Sequence, residues 1–116
     1  MTPALSLVVL RSADLERAAK FYECLGFQFT RHRHGCGPEH LSAELGSGVF
    51  ELYPLSPNGA STLGTRIGFR VASLDSVITA LSAYADAIIS PAQDSPWGRR
   101  SVVSDPDGHR IELVEP

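Results

Sequence analysis

Leu10-Arg11-Ser12-Ala13-Asp14-Leu15-Glu16 is answered 59 residues later by Phe69-Arg70-Val71-Ala72-Ser73-Leu74-Asp75. An apolar residue, an arginine, an alanine, a helix-capping residue, a leucine and an acid stand at the same places in both. A second echo, Glu51-Leu52 against Glu112-Leu113, is offset by 61 residues. Each half therefore runs strand, capped helix and further strands, and closes on a strand that carries a Glu among apolar neighbours. A duplicated unit of this size predicts a pseudo-symmetric fold in which both halves offer the same face to one shared cleft.

Outward from the repeat, Ala4 to Arg11 reads as a strand. Asp14 caps a helix over Leu15 to Leu25, and Gly26 stops it. Phe27 to His34, Glu39 to Leu45 and Val49 to Leu55 alternate as strands do, separated by Gly35-Cys36-Gly37-Pro38 and Gly46-Ser47-Gly48. In the second half Thr65 to Val71 is a strand. Ser73 caps a helix whose apolar stripe is Leu74, Val77, Ile78, Leu81 and Tyr84. Ala87 to Ser90, Arg100 to Ser104 and Arg110 to Glu115 complete the unit, the last two joined by the turn Asp105-Pro106-Asp107-Gly108. The exposed linker Ser56-Pro57-Asn58-Gly59-Ala60-Ser61 separates module 1, about 1–57, from module 2, about 62–116, of a single domain spanning 1–116.

Composition removes several classes. A net charge of -3 supplies no basic surface for nucleic acid. No apolar run approaches the roughly 20 residues of a membrane span, and Met1 leads into a strand without a signal peptide. Two cysteines, Cys24 and Cys36, cannot staple a scaffold, so a cytoplasmic location is expected.

Period two divides the strands into faces. Val8, Leu10, Phe50, Leu52, Ile67, Phe69, Val71, Ile111 and Leu113 form an apolar face that packs under the helices. Leu7, Val9, Arg11, Glu51, Tyr53, Arg66, Gly68, Arg70, Arg110, Glu112 and Val114 share the opposite one. Two Glu and several Arg at equivalent places are not core residues, and this face is the candidate cleft.

Three stretches carry a resemblance: Asp14-Leu15-Glu16-Arg17-Ala18 with Phe21-Tyr22 and Leu25-Gly26-Phe27; Pro96-Trp97-Gly98-Arg99; and Asp105-Pro106-Asp107-Gly108-His109-Arg110-Ile111-Glu112-Leu113. With the repeat, the chain resembles the vicinal oxygen chelate superfamily, which includes glyoxalase I, extradiol dioxygenases, and fosfomycin and bleomycin resistance proteins. The resemblance implies an α+β fold of two tandem βαβββ modules forming a curved mixed sheet around a cleft, and a homodimer, sometimes with modules exchanged between chains. Metal enzymes of that superfamily commonly place His on the first strand of each half and Glu on the last. The Glu positions match Glu51 and Glu112, but the His positions fall on Leu7, which has no donor atom, and Arg66, a permanent cation. No divalent metal is therefore expected, and no other cofactor.

The leading expectation is metal-independent binding of a small organic ligand, with Arg66, Glu51, Glu112, Tyr53, Trp97, Leu7 and Arg110 as contacts. Arg66 either presents donors to an anionic or carbonyl-bearing ligand or closes a salt-bridge network in a vestigial site. One Arg against two carboxylates leaves one acid underpaired, to be met by Arg110, Arg70, solvent or a proton. The alternative is a lyase or isomerase related to the glyoxalases and dioxygenases, acting on a carbonyl substrate. Glu112 or Glu51 would be its base and Arg66 its oxyanion stabiliser. A third reading assembles a metal from both Glu and a swinging His32 or His34. His32, His34, Cys36 and His40 otherwise read as surface residues near the cleft mouth. His109 belongs to its turn, and Cys24 has no base beside it.

Overall fold

The computed structural model describes residues 1–116, the side chain of Ala85 apart. In chain order the elements are β1 (Leu7–Ser12), α1 (Leu15–Glu23), β2 (Thr30–His32), β3 (His40–Leu45), β4 (Gly48–Pro54), β5 (Arg66–Arg70), α2 (Leu74–Ala80), a 3-10 segment (Leu81–Ala87), β6 (Ile88–Ser95), β7 (Gly98–Ser104) and β8 (Arg110–Glu115). They form two βαβββ modules. As expected of an α+β fold of two tandem modules, each contributes a mixed four-stranded sheet, ordered β1-β4-β3-β2 and β5-β8-β7-β6. In each, the first strand lies parallel to the last, so Leu10 stands beside Leu52 and Phe69 beside Leu113.

Helix starts follow local chemistry. Asp14 accepts from the Arg17 N–H at 3.1 Å and Ser73 from the Ser76 N–H at 3.2 Å, each satisfying a donor that the helix cannot. Gly26 ends the first helical turn region with φ +110, a conformation that a side chain resists. The second helix stops earlier than its apolar stripe predicts. Tyr84 leaves helical geometry, so the stripe is completed by a kinked 3-10 segment. Phe27 and Phe29 lie outside β2 and pack partly buried against the core. At the far edge β6 runs longer than expected, reaching Ser95 through register shifts that keep it paired with β7.

Burial agrees with the period-two division. Leu10, Phe50, Leu52, Phe69, Ile111 and Leu113 are buried, together with Phe21, Tyr22 and Leu74 of the helices. Phe27 joins the modules: its ring centre lies 5.0 Å from that of Phe50 and 5.1 Å from that of Phe69, edge-on or tilted as aromatic quadrupoles favour. The polar faces of the two sheets are thereby turned away from the shared core. No helix among the described residues is long and apolar enough to cross a membrane.

Candidate functional site

The second sheet carries the better-formed site. Gly68 stands opposite Glu112 across the β5–β8 pair, and Arg66 lies two residues before it on the same face. Arg66 Nε–H donates to Glu112 Oε2 at 3.0 Å, and the Arg100 guanidinium donates to the other carboxylate oxygen, Oε1, from Nε at 2.8 Å. These charge-assisted bonds from Arg66 and Arg100 pull the Glu112 pKa down to about 2 against the modest opposing effect of burial. Around this triad a groove of about 740 Å³ is lined by Arg66, Gly68, Arg70, Trp97, Arg100, Glu112, Val114 and Pro116. Trp97 is 76% exposed at its rim rather than packed on the sheet. Gly98 is required beside it: φ is +123, and a Cβ would strike the Glu115 carbonyl.

Arg100 is the contact that sequence reasoning missed. Arg99 and Arg100 are consecutive, so a strand must send them to opposite faces. The β7–β8 register places Arg100 opposite Val114, on the groove face, while Arg99 pairs with Asp75 of α2 at 3.3 Å. Strand alternation says that one of the two faces the groove; only the register says which. Arg110 shares the face but does not line the groove.

The first sheet presents a different constellation. Leu7 is exposed, and Glu51 and Tyr53 follow each other on β4. None of the three lines the Arg66–Glu112 groove. Among the described residues no hydrogen bond or ion pair joins Glu51 to Arg66, so Arg66 serves one carboxylate and does not bridge two. Glu51 Oε2 instead faces His40 Nε2 at 3.5 Å. His40 is only 1% exposed, which corrects its reading as a surface residue. It stacks on Tyr53 with ring centres 4.3 Å apart and planes 7° from parallel, and the Arg11 guanidinium lies 5.0 Å from the centre of the Tyr53 ring. Burial of His40 follows from β3 being an interior strand, paired on both sides.

A third polar cluster lies at the turn before β8. Asp105, Asp107 and His109 bring one potential ligand atom each within 4.8 Å of one another. Their atoms are already engaged. Tyr22 O–H donates to Asp105 Oδ2 at 2.5 Å and His109 Nδ1–H at 2.7 Å, while three backbone N–H groups donate to Asp105 Oδ1. His109 Nε2 meets Thr62 Oγ1 at 2.7 Å, and Ser12 O–H donates to Asp107 at 2.6 Å. Burial alone would raise the Asp105 pKa, but the bonds from His109 and Tyr22 outweigh it and hold the carboxyl below its ordinary value. Burial pushes the Tyr22 phenol far up, so it stays a donor. This cluster staples the turn to α1, β1 and the linker, as expected of a turn histidine. Burial pushes the Cys24 thiol pKa up, which disfavours the thiolate.

The metal site of the enzymes that share this architecture does not fit here. Its four positions hold Leu7, Glu51, Arg66 and Glu112; one has no donor, one is a cation, and Glu112 is already neutralised by two guanidiniums.

Two βαβββ modules back to back, each with charged side chains on its open face, define the duplicated glyoxalase-like class. The family model for the Glyoxalase/Bleomycin resistance protein/Dioxygenase superfamily matches residues 4–113, and the chain belongs to that family. An uncharacterized protein of Mycolicibacterium smegmatis is 32% identical over 111 residues, covering 95% of this chain and 91% of that one. The glyoxylase/bleomycin resistance protein/dioxygenase domain from Frankia sp. EAN1pec superposes with a TM-score of 0.76 at 25% identity, covering 99% of this chain and 98% of that chain. TnmS3, an antibiotic binding protein from Streptomyces sp. CB03234, superposes with a TM-score of 0.71 at 24% identity, covering 99% and 97%.

Proposed function

We propose that the protein binds a small planar organic molecule bearing an anionic or carbonyl group, held in the groove of the second sheet without a metal at the four strand positions. The convergence of Arg66 and Arg100 on Glu112 beneath an exposed Trp97 carries this reading. Among the side chains of the lining, Arg66, Arg70 and Arg100 outnumber the one acid, Glu112, so the groove retains an excess of donors. Val114, Pro116 and Trp97 add the apolar walls that a ligand site needs around a few polar groups. A fold neighbour that binds an antibiotic supports the same class of role. Glu51, Tyr53 and Leu7 enter when a second copy lays its first module across the groove, which makes the working form a homodimer. The unpaired cysteines Cys24 and Cys36 suit a cytoplasmic location.

The second reading, an enzyme acting on a carbonyl substrate, loses one of its two bases. A carboxylate with a pKa of about 2 is a poor proton acceptor near neutral pH, so Glu112 would orient arginines and only Glu51 would accept a proton. Trp97, the only tryptophan, supplies the test. Its fluorescence should quench saturably with hydroxynaphthoquinones or aromatic carboxylates, unaffected by chelator and weakened at least tenfold by combined Arg66→Ala and Arg100→Ala. Saturable quenching that survives the double substitution, or none across the panel, would overturn the assignment. Light scattering on the same samples reads the dimer.

A further inference from the structure

The β2–β3 hairpin gathers three histidines over Glu51. His32 is the register partner of His40, and His34 lies in the connecting loop. Their ring centres are 5.2 Å apart for His34 and His40, 6.0 Å for His32 and His40, and 6.2 Å for His32 and His34. Two imidazoles bound to one tetrahedral ion at about 2.1 Å have ring centres roughly 5 Å apart. The His34–His40 spacing is close to the one that a shared ion imposes, while the two spacings to His32 are about 1 Å wider.

His40 supplies the independent observation. Its Nδ1 lies 3.3 Å from the Pro38 carbonyl, which can only accept, so Nδ1–H donates there and Nε2 is left to find another partner. That Nε2 is fully buried and has no hydrogen-bond partner. It faces a carboxylate oxygen of Glu51 at 3.5 Å in a sheltered place. A direct imidazolium–carboxylate bond would draw them to about 2.8 Å. Two ligand atoms of one tetrahedral ion at about 2.1 Å are instead roughly 3.4 Å apart. The separation and the orphaned nitrogen are those of a ligand pair. The Pro38 contact matches the backbone carbonyl that orients a metal-bound imidazole from behind.

We propose that His40 and Glu51 form the fixed half of a divalent transition-metal site, completed by the exposed His34 and His32 through side-chain rotation. Three imidazoles and one carboxylate suit zinc, nickel or cobalt, and not magnesium or calcium, which demand oxygen shells. His32 Nε2 is engaged by Thr30 Oγ1 at 2.7 Å, which leaves its Nδ1 as the ligating atom or releases that bond on binding. The site shares Glu51 with the four strand positions and with the contacts proposed from a second copy, but leaves the Arg66–Arg100–Glu112 groove as it is, so Trp97 quenching and metal titration read the two separately.

The test uses tag-free, chelator-dialysed protein carrying Cys36→Ser, titrated calorimetrically with zinc and with nickel. One ion per chain is expected, with His34→Ala and the near-isosteric Glu51→Gln each weakening affinity at least about tenfold while the unfolding temperature without metal stays within a few degrees. Cobalt-loaded protein should show the intense visible bands of tetrahedral coordination, lost in both variants. Absence of saturable binding would overturn the proposal. So would binding that survives both substitutions but falls with Asp107→Asn, which would move the ion to the turn cluster.

Discussion

Gly68 and Glu112 are register partners across the parallel β5–β8 pair, and the space that Gly68 leaves empty is the floor on which Arg66 and Arg100 reach the carboxylate. A Cβ at Gly68 would meet Glu112 Cβ at 3.8 Å, ordinary contact, and its φ lies outside the region that favours glycine. Gly68→Ala should therefore fold normally and gain about 0.5 kcal/mol by restricting the unfolded chain. Gly68→Trp should fold but fill the groove and abolish ligand binding measured by calorimetry. Undiminished ligand binding by the bulky variant would place the ligand elsewhere.

Glu112 makes stability pH-dependent in a direction that can be worked out. Its pKa falls from the ordinary 4.5 to about 2 on folding, so its contribution is complete above pH 4.5 and is lost as pH falls through about 2. The pair is partly exposed, with Glu112 at 30% and Arg66 at 54%, so the effect is screened. Glu112→Gln should lower Tm by only about 2 °C at pH 7, with the gap closing between pH 4.5 and 2. Thermal scans across that range check it.

The Asp105 cluster should matter far more to stability than to binding. Asp105→Ala strands three backbone N–H groups, Tyr22 and His109 at once and should cost about 3–5 kcal/mol in urea unfolding. Tyr22→Phe removes one donor while keeping the ring, and should cost about 1–2 kcal/mol. Because the Asp105 pKa is lowered by folding, its share persists above the ordinary 3.8 and fades as pH falls through the folded value.

Phe27 touches an aromatic ring of each module, so its loss should loosen their junction. Phe27→Ala should cost about 3 kcal/mol. Combined with Phe69→Ala it should cost less than the sum, since both empty the same space. Strict additivity in denaturant unfolding would show that the two rings do not share a packing unit.

The repeat, the caps at Asp14 and Ser73 and the period-two faces were legible because each depends on residues adjacent in sequence. Helix capping spans three positions, and alternation spans two. The early end of α2 at Ala80 was not legible: Tyr84 leaves helical geometry and sets its ring 5.6 Å from that of Phe21, a contact between residues far apart in the chain.

What the sequence determined by itself was the duplicated architecture, the pairing of apolar with helical faces and the set of charged residues turned away from the core. What only the tertiary structure decided was how those charges combine. Arg100 rather than Arg110 became the second partner of Glu112 because the β7–β8 register, set by cross-strand pairing far along the chain, chose one of two adjacent arginines. Glu51 met a buried His40 instead of Arg66 because the two sheets join through their apolar faces, which leaves each module's polar face with its own neighbours. Periodicity decides which face a side chain takes, while register and module packing decide whom it meets there, and those depend on contacts between residues distant in the chain.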